Sequence, residues 1–240
     1  DRYLLAGYPW FKCRARDTFI ALPGLTLAIE EQDYFELVMK TAERGLREFM
    51  NGEPLTVKLY EIEQPDVLLW CVWAIQQYAK EVGNEKCLQM YGKLLKDMIH
   101  FIEEGNHPNL RLDSNGLLHT EGRDRAVTWM NSMANGRPIV PRTGYIVEFN
   151  ALKFATAMAE QNNETENVAR YEALAELCQK SFVDTFLNEY GYLFDYVDGN
   201  MMDWSVRPNM IFAVALDYSP LSQDQKKSVW DVCTRELLTP

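Results

Sequence analysis

The sequence predicts an all-α fold built from pairs of helices, and three observations point to it. Eight stretches carry apolar residues at helical spacing. No strand–helix–strand alternation of the kind that builds a parallel sheet is present. Tight breaks such as Gly83-Asn84 and Asn162-Asn163 alternate with long loops rich in Trp, Arg and carboxylates. Helices joined by tight returns form antiparallel pairs. Long decorated loops at every second return suggest a ring of such pairs with its functional loops on one rim. A plain helical bundle satisfies the same periodicity.

Taken in order, Asp1 to Trp10 is short and aromatic and runs into Gly7-Tyr8-Pro9-Trp10-Phe11. Arg14-Ala15-Arg16-Asp17-Thr18-Phe19 then leads into an apolar stretch that Pro23-Gly24 interrupts. A helix is expected from Asp33 to Met50, with Phe35, Val38, Met39, Ala42, Leu46 and Phe49 on its inner face. Asn51-Gly52 stops it. Pro65 fits a first helical turn. The helix it opens runs to Val82, with Leu69, Val72, Trp73, Gln76 and Tyr78 near one side. Glu85 to Glu104 continues with a stripe of Leu88, Tyr91, Leu94, Leu95, Met98 and Phe101-Ile102. Residues 105–120 are turn-rich, and Asp113-Ser114-Asn115-Gly116 is a hairpin or turn signal.

Helix is expected again from about Ile146 to Gln161, and from Thr165 to Leu187 with Tyr171, Ala175, Cys178, Phe182 and Phe186 inward. Tyr192 to Asp198 reads as a short strand or extended loop. Arg207-Pro208-Asn209 opens a compact helix to Leu216, and Ser222 with Gln225 forms a capping-box pattern before the last helix, which reaches about Leu238.

Composition narrows the function classes. With 240 residues and 47% hydrophobic content the chain can bury a sizeable core. A net charge of −11 disfavours nucleic acid and anionic membrane surfaces as partners, and suits a neutral polar substrate. Six Trp and twelve Tyr supply flat apolar faces. Five cysteines, an odd number without a CxxC pair, read as buried free thiols of a reducing compartment. The three histidines lack metal-ligand spacing, so neither a metal nor another cofactor is expected. No run of eighteen apolar residues marks a membrane span. The chain opens on Asp1 without Met and closes on Leu-Leu-Thr-Pro, which reads as a segment of a longer protein.

The densest chemistry lies between Thr128 and Leu152. Trp129 offers a stacking face, Asn131, Asn135 and Asn150 offer amides, Arg137 and Arg142 offer guanidinium groups, and Glu148 offers a carboxylate. Pro138 and Pro141 stiffen the segment, and a helical pattern follows. It reads as a functional loop on a rigid scaffold, or as a surface loop with one anchoring Trp.

Five motifs in order, AGYPWF with RDTFIALPGL, DVLLW, TWMN with PIVPRTGYIVEFNAL, RPNMIFAVAL and a terminal LLTP, resemble the C-terminal amylo-α-1,6-glucosidase domain of glycogen debranching enzymes. The order and spacing match over nearly the whole chain. The resemblance implies one partial (α/α)6 toroid over residues 1–240, its ring incomplete if the chain is cut at both ends. It implies an intracellular, cytoplasmic enzyme of glycogen breakdown, linked to other domains of a parent chain. The reaction implied is metal-free, inverting hydrolysis of the α-1,6-linked glucose at trimmed branch points of glycogen or branched maltosaccharides. Inversion uses one carboxylic acid and one carboxylate roughly 6.5–9.5 Å apart, with the attacking water between.

Residue by residue, Arg16 and Asp17 match an Arg-Asp pair of the glucose pocket; a structural ion pair or helix cap is the plain alternative. Asp66 and Trp70 match an Asp-x-x-x-Trp element that binds hydroxyls and lines the site, or else a helix-start carboxylate with a core Trp. Trp10 and Trp129 lie in matching motifs and offer stacking faces. Arg142, Glu148 and Asn150 match a TPR…VEINAL block. Arg207 and Asn209 match RPNQ, as substrate contacts or as pins of their loop. The family's TWMD supplies its proposed general acid, and here that position is Asn131. An amide cannot donate that proton, so the acid passes to Glu148 or Asp17, or the site binds glucan without turnover. A carboxylate at a helix start is favoured as the anion, which suits Glu148 as base or hydroxyl acceptor. Lys12-Cys13-Arg14-Ala15 and Tyr60-Glu61-Ile62-Glu63 also depart from the family's Trp-Gly and Tyr-Asn-Ser-Val. The family continues past LLTP with helices that supply the second carboxylate. The fragment alone is therefore expected to be weak or inactive.

Overall fold

Apolar periodicity turns into packing most fully in the helix Val67–Val82 (α3). Its buried positions include Leu68, Cys71, Val72, Ala74, Ile75, Tyr78 and Ala79, spread around most of its circumference, while Leu69 and Trp73 are half-buried. This corrects the single stripe expected from sequence. Both α1 (Ala15–Leu25) and α4 (Asn84–Glu103) pack against α3, so it has more than one inner face. The computed structural model describes residues 1–121, 126–135, 137–138 and 143–239. The chain divides into two compact units, Asp1–Arg111 with Val127–Asn131 and Gln161–Asn163, and Leu112–Ala126 with Ser132–Glu160 and Glu164–Pro240.

In the first unit, α1 continues two residues past Pro23, which sits in its last turn, and a short 3-10 turn (Leu27–Ile29) leads to α2 (Gln32–Met50). The inner face of α2 is as the sequence predicts, with Phe35, Val38, Met39, Ala42 and Leu46 buried. Phe35 stacks on Tyr78 at 4.9 Å, and Tyr91 meets both rings edge-on at 6.3 and 5.3 Å, tying α2, α3 and α4 together. Each such aromatic pair contributes roughly 0.5–1.5 kcal/mol beyond its buried area. Gly83 alone joins α3 to α4.

The connector before α3 is laid down by two contacts. Gly45 on α2 has no Cβ, and one there would lie 2.6 Å from the Val57 side chain, so glycine admits the connector against the helix. Beyond it, the Tyr60 carbonyl accepts from the Ala15 N–H at 2.9 Å and the Tyr60 N–H donates to the Cys13 carbonyl at 2.8 Å. The segment thus runs parallel to the entry of α1.

The second unit holds α5 (Phe149–Gln161), α6 (Thr165–Phe186), α7 (Met210–Ala215) and α8 (Gln223–Leu237). Lys153 bridges α5 to Glu172 of α6 at 2.7 Å. The side chain of Ser222 and that of Gln225 form the expected capping box on α8. Cys71, Cys87, Cys178 and Cys233 are buried, Cys13 is half-buried, and all five are free. Burial pushes the Cys87 thiol up to about 12, which keeps it protonated and inert.

The hairpin signal at Asp113–Gly116 is flanked by strands, and further strands that were not expected follow it up to residue 146. The structure has β1 (Arg111–Leu112), β2 (Leu118–Glu121), β3 (Met133–Ala134), β4 (Arg137–Pro138) and β5 (Thr143–Ile146) there. β2 and β5 pair antiparallel, Leu118 opposite Ile146 and Glu121 opposite Thr143, in a sheet of order β1–β2–β5. Ile146 therefore ends a strand, and the following helix starts at Phe149 instead. Strands of two to four residues show no period of their own, because each forms only when a distant partner supplies its hydrogen bonds. Asp113 to Leu117 makes the predicted turn, closed by the Gly116 N–H on the Asp113 carbonyl at 2.9 Å. A Cβ on Gly116, at φ +80°, would lie 3.1 Å from the Cys178 backbone nitrogen, so this turn rests directly on α6. The Tyr192–Asp198 stretch enters a hairpin of β6 (Val197–Asp198) and β7 (Met201–Met202). α7 begins at Met210, three residues later than Arg207, because Arg207 and Asn209 are engaged in side-chain bonds with residues upstream. Among the described residues no helix is long and apolar enough to cross a membrane.

His107 is a buried group with a pH consequence. Its ring lies between Phe49 and Phe101, and Nδ1 accepts from the Asn109 N–H at 3.1 Å. Burial pushes its pKa down to about 4 from the ordinary 6.5. The folded state binds this proton less readily than the unfolded chain. Its stability is therefore full above pH 6.5 and declines as pH falls toward 4, by about 3 kcal/mol at the acid end. Urea midpoints at pH 7 and 4.5 should show this loss, and His107→Leu should reduce the pH dependence. An equal acid loss in that variant would place its cause elsewhere.

Candidate functional site

In the first unit a buried ion pair joins two residues fifty positions apart. Arg16, the second residue of α1, donates from Nη2 to Asp66 Oδ1 at 2.7 Å and from Nε to Oδ2 at 2.8 Å. Asp66 stands at the N-cap position of α3, but its side chain does not cap that helix. The carboxylate faces Arg16 and also accepts from Trp70 Nε1 at 3.1 Å, one helical turn on. The parallel connector described above, and the turns from Glu61 to Val67, deliver Asp66 to this place. The three motif residues Arg16, Asp66 and Trp70 are thus brought together. Trp70 also meets Trp73 edge-on at 5.7 Å.

Asp17, next to Arg16, is half-buried in the first turn of α1. Trp10 and Trp129 present open faces, at 83% and 42% exposure, and Asn131 is exposed with its N–H donating to the Trp129 carbonyl at 2.9 Å. The two segments that depart from the family pattern meet each other. Lys12 Nζ lies 4.4 Å from the Tyr60 ring centroid, Arg14 pairs with Glu61 at 3.5 Å, and Cys13 bonds Tyr60 through the backbone. The two segments therefore meet through Tyr60 and Glu61.

In the second unit Glu148 is only 1% exposed and directly precedes α5, its carbonyl accepting the first helical bond from Leu152 at 3.0 Å. The Cys178 thiol lies against the Glu148 and Phe149 backbone. Burial first, and then the Glu148 charge, push that thiol up to about 12. Asn150 is one residue into the helix and its Oδ1 accepts from the Tyr218 N–H at 3.3 Å. Asp195, almost wholly buried, accepts from Arg207 Nη1 at 2.7 Å and from Asn209 Nδ2 at 2.6 Å. The same Arg207 nitrogen reaches Asp203 at 2.6 Å. Burial works against ionisation of Asp203, but Ser205 and Arg207 outweigh it and hold the carboxyl below its ordinary range. A cavity of about 190 Å³ opens beside this cluster, lined by Phe149, Asn150, Phe194, Asp195, Asn209 and Phe212 among others.

Asp195 was missed as a site residue. Its signal is a lone carboxylate inside the apolar run Tyr192 to Val197, a pattern that asks for a buried cationic partner. Arg142 and Pro141 lie outside the described residues. Among the described residues no group of three His, Cys, Asp or Glu could hold a metal ion.

The family model described as amylo-alpha-1,6-glucosidase matches residues 2–240. The chain belongs to that family. No curated protein matches it. Family membership assigns it to glycoside hydrolysis in glycogen debranching, with glycogen or branched glucan as the substrate class. In this family member both units hold a motif arginine on a buried carboxylate, Arg16 on Asp66 and Arg207 on Asp195.

Removing one partner from a buried pair strands the other charge. Asp66→Asn should lower the unfolding free energy by about 3–5 kcal/mol, whereas Asp97→Asn, which breaks more exposed pairs, should cost about 1 kcal/mol or less. Urea denaturation of both variants checks the contrast. Equal midpoints would show that the Arg16–Asp66 pair does not hold the unit.

Proposed function

We propose that residues 1–240 belong to one (α/α)6 toroidal domain that hydrolyses the α-1,6-linked glucose at trimmed branch points of glycogen, with inversion at the anomeric carbon. The observation that carries this reading is the family match over residues 2–240. Glu148 acts as base. It is a buried carboxylate at a helix N-terminus, where the dipole favours the anion. It takes a proton from a water molecule whose oxygen attacks the anomeric carbon. The second carboxyl group of the pair protonates the departing glycosidic oxygen, so that the carbon–oxygen bond to the main chain breaks as the new one forms. Arg16, Asp66, Arg142, Asn150, Arg207 and Asn209 are the residues that the family motifs offer to sugar hydroxyls. Trp10, Trp70 and Trp129 offer ring faces. No metal or other cofactor enters. Free thiols, four of them buried, fit a cytoplasmic location.

A second reading is a non-catalytic α-glucan-binding module, and the amide at Asn131 favours it, since the family's proposed acid occupies that position. Kinetics separate the two. The longer parent protein given a glucosyl-branched maltosaccharide should release β-glucose, residues 1–240 alone little or none, and Glu148→Gln in the parent should lower kcat by about 10²–10⁴-fold. Glycogen binding by the parent without any glucose release sinks the hydrolase reading. Glucose release that appears only in Asn131→Asp identifies a hydrolase that has lost its acid.

A further inference from the structure

Outside the residues assigned to chemistry, the second unit exposes two aromatic rings side by side. Tyr190 is 68% and Trp204 46% exposed, with ring centroids 6.1 Å apart and planes inclined at 66°. Exposure of one large apolar side chain is ordinary; an adjacent pair held in place is less so.

Trp204 is fixed from every side. Its ring meets the buried Phe194 edge-on at 4.6 Å. Its carbonyl accepts from the Tyr192 hydroxyl at 3.1 Å. The residue before it is pinned by the Asp195 N–H on the Asp203 carbonyl at 2.9 Å and the Asp203 N–H on the Tyr196 carbonyl at 3.0 Å. The residue after it, Ser205, donates its N–H to the Asp203 carboxylate at 2.8 Å, and Arg207 clamps that carboxylate from below. Tyr190 stands in a tight turn, where its N–H donates to the Asn188 side chain at 3.0 Å and the Asn188 N–H donates to the Tyr192 carbonyl at 2.9 Å. The backbone order that a ligand would otherwise impose is already present, which lowers the entropy lost on binding.

We propose that Tyr190 and Trp204 form a stacking platform for glucosyl units of an α-glucan chain, so that the protein grips the polymer as well as the branch glucose. The proposal rests on the glucan reading above but not on hydrolysis. A glucose ring offers an apolar C–H face to an aromatic ring and keeps its hydroxyls toward water. Two inclined faces suit a chain whose successive sugars turn relative to one another. The rim provides exposed polar groups at Glu189, Asn200 and Ser205. The local carboxylates, and a net charge of −11, disfavour an anionic polymer in the same place.

Affinity electrophoresis through glycogen-containing gels tests this without any turnover. The full chain should be retarded. Tyr190→Ala and Trp204→Ala should each weaken glycogen binding about tenfold, and Trp204→Tyr, which keeps a ring face, should retain most of it. Thermal midpoints confirm folding, and Tyr190→Ala, at the more exposed position, keeps the test open if Trp204→Ala unfolds. Glycogen retardation unchanged in folded Tyr190→Ala and folded Trp204→Ala, or absent from the wild type, overturns the platform. Loss of retardation in Tyr190→Ala supports it whether or not the protein releases glucose. A change in elution volume of Tyr190→Ala with glycogen binding intact overturns it in favour of a protein contact.

Discussion

The ion pair of Arg16 with Asp66 constrains the first unit more than any other contact. A guanidinium buried in a helix start has to be paired. Its partner lies fifty positions away, so the chain between must return to it. That return is the connector along Gly45 and Tyr60, and it ends by turning Asp66 into place at the head of α3. The same carboxylate then accepts from Trp70 Nε1 and orients that ring. One interaction therefore fixes the entry of α1, the start of α3 and the pose of a motif tryptophan.

The second unit uses the same device with different parts. Asp195 is buried and collects Arg207 and Asn209, and Arg207 in turn holds Asp203. In both units the motif arginine is neutralised by a buried carboxylate. Neither arginine is then left as a bare cation. That balance fits an uncharged polymer such as glucan, for which a bare guanidinium has no ionic partner. It also bears on the two roles open for Arg207. The observed bonds pin the loop, and substrate contact would have to use its remaining nitrogens.

The departures from the family pattern divide into two kinds. Arg14 and Glu61 both depart from the pattern and pair with each other, and Lys12 lies over the ring of Tyr60. Asn131 is different. It is exposed and stands as an amide where the family has an acid, which changes the available chemistry. Glu148, by contrast, keeps a buried carboxylate where the family motif has one.

The sequence by itself determined the helices, because each carries its own apolar period, and it determined the family, because ordered motifs survive as strings. The Asp113–Gly116 turn and the Ser222 capping box were legible for the same reason: their chemistry is local. Three kinds of feature came only from tertiary structure. The short strands between residues 111 and 146 have no period to read, and form only with partners. The wide burial of α3 depends on neighbours on more than one side of it. Asp195, Tyr190 and Trp204 gain meaning only when a hairpin brings residue 195 beside 207 and 209, and residue 190 beside 204. Local periodicity encodes which segments are helical. Which side chains share a site is fixed by long-range pairing of buried charges and ring faces, and that pairing leaves little trace in linear order.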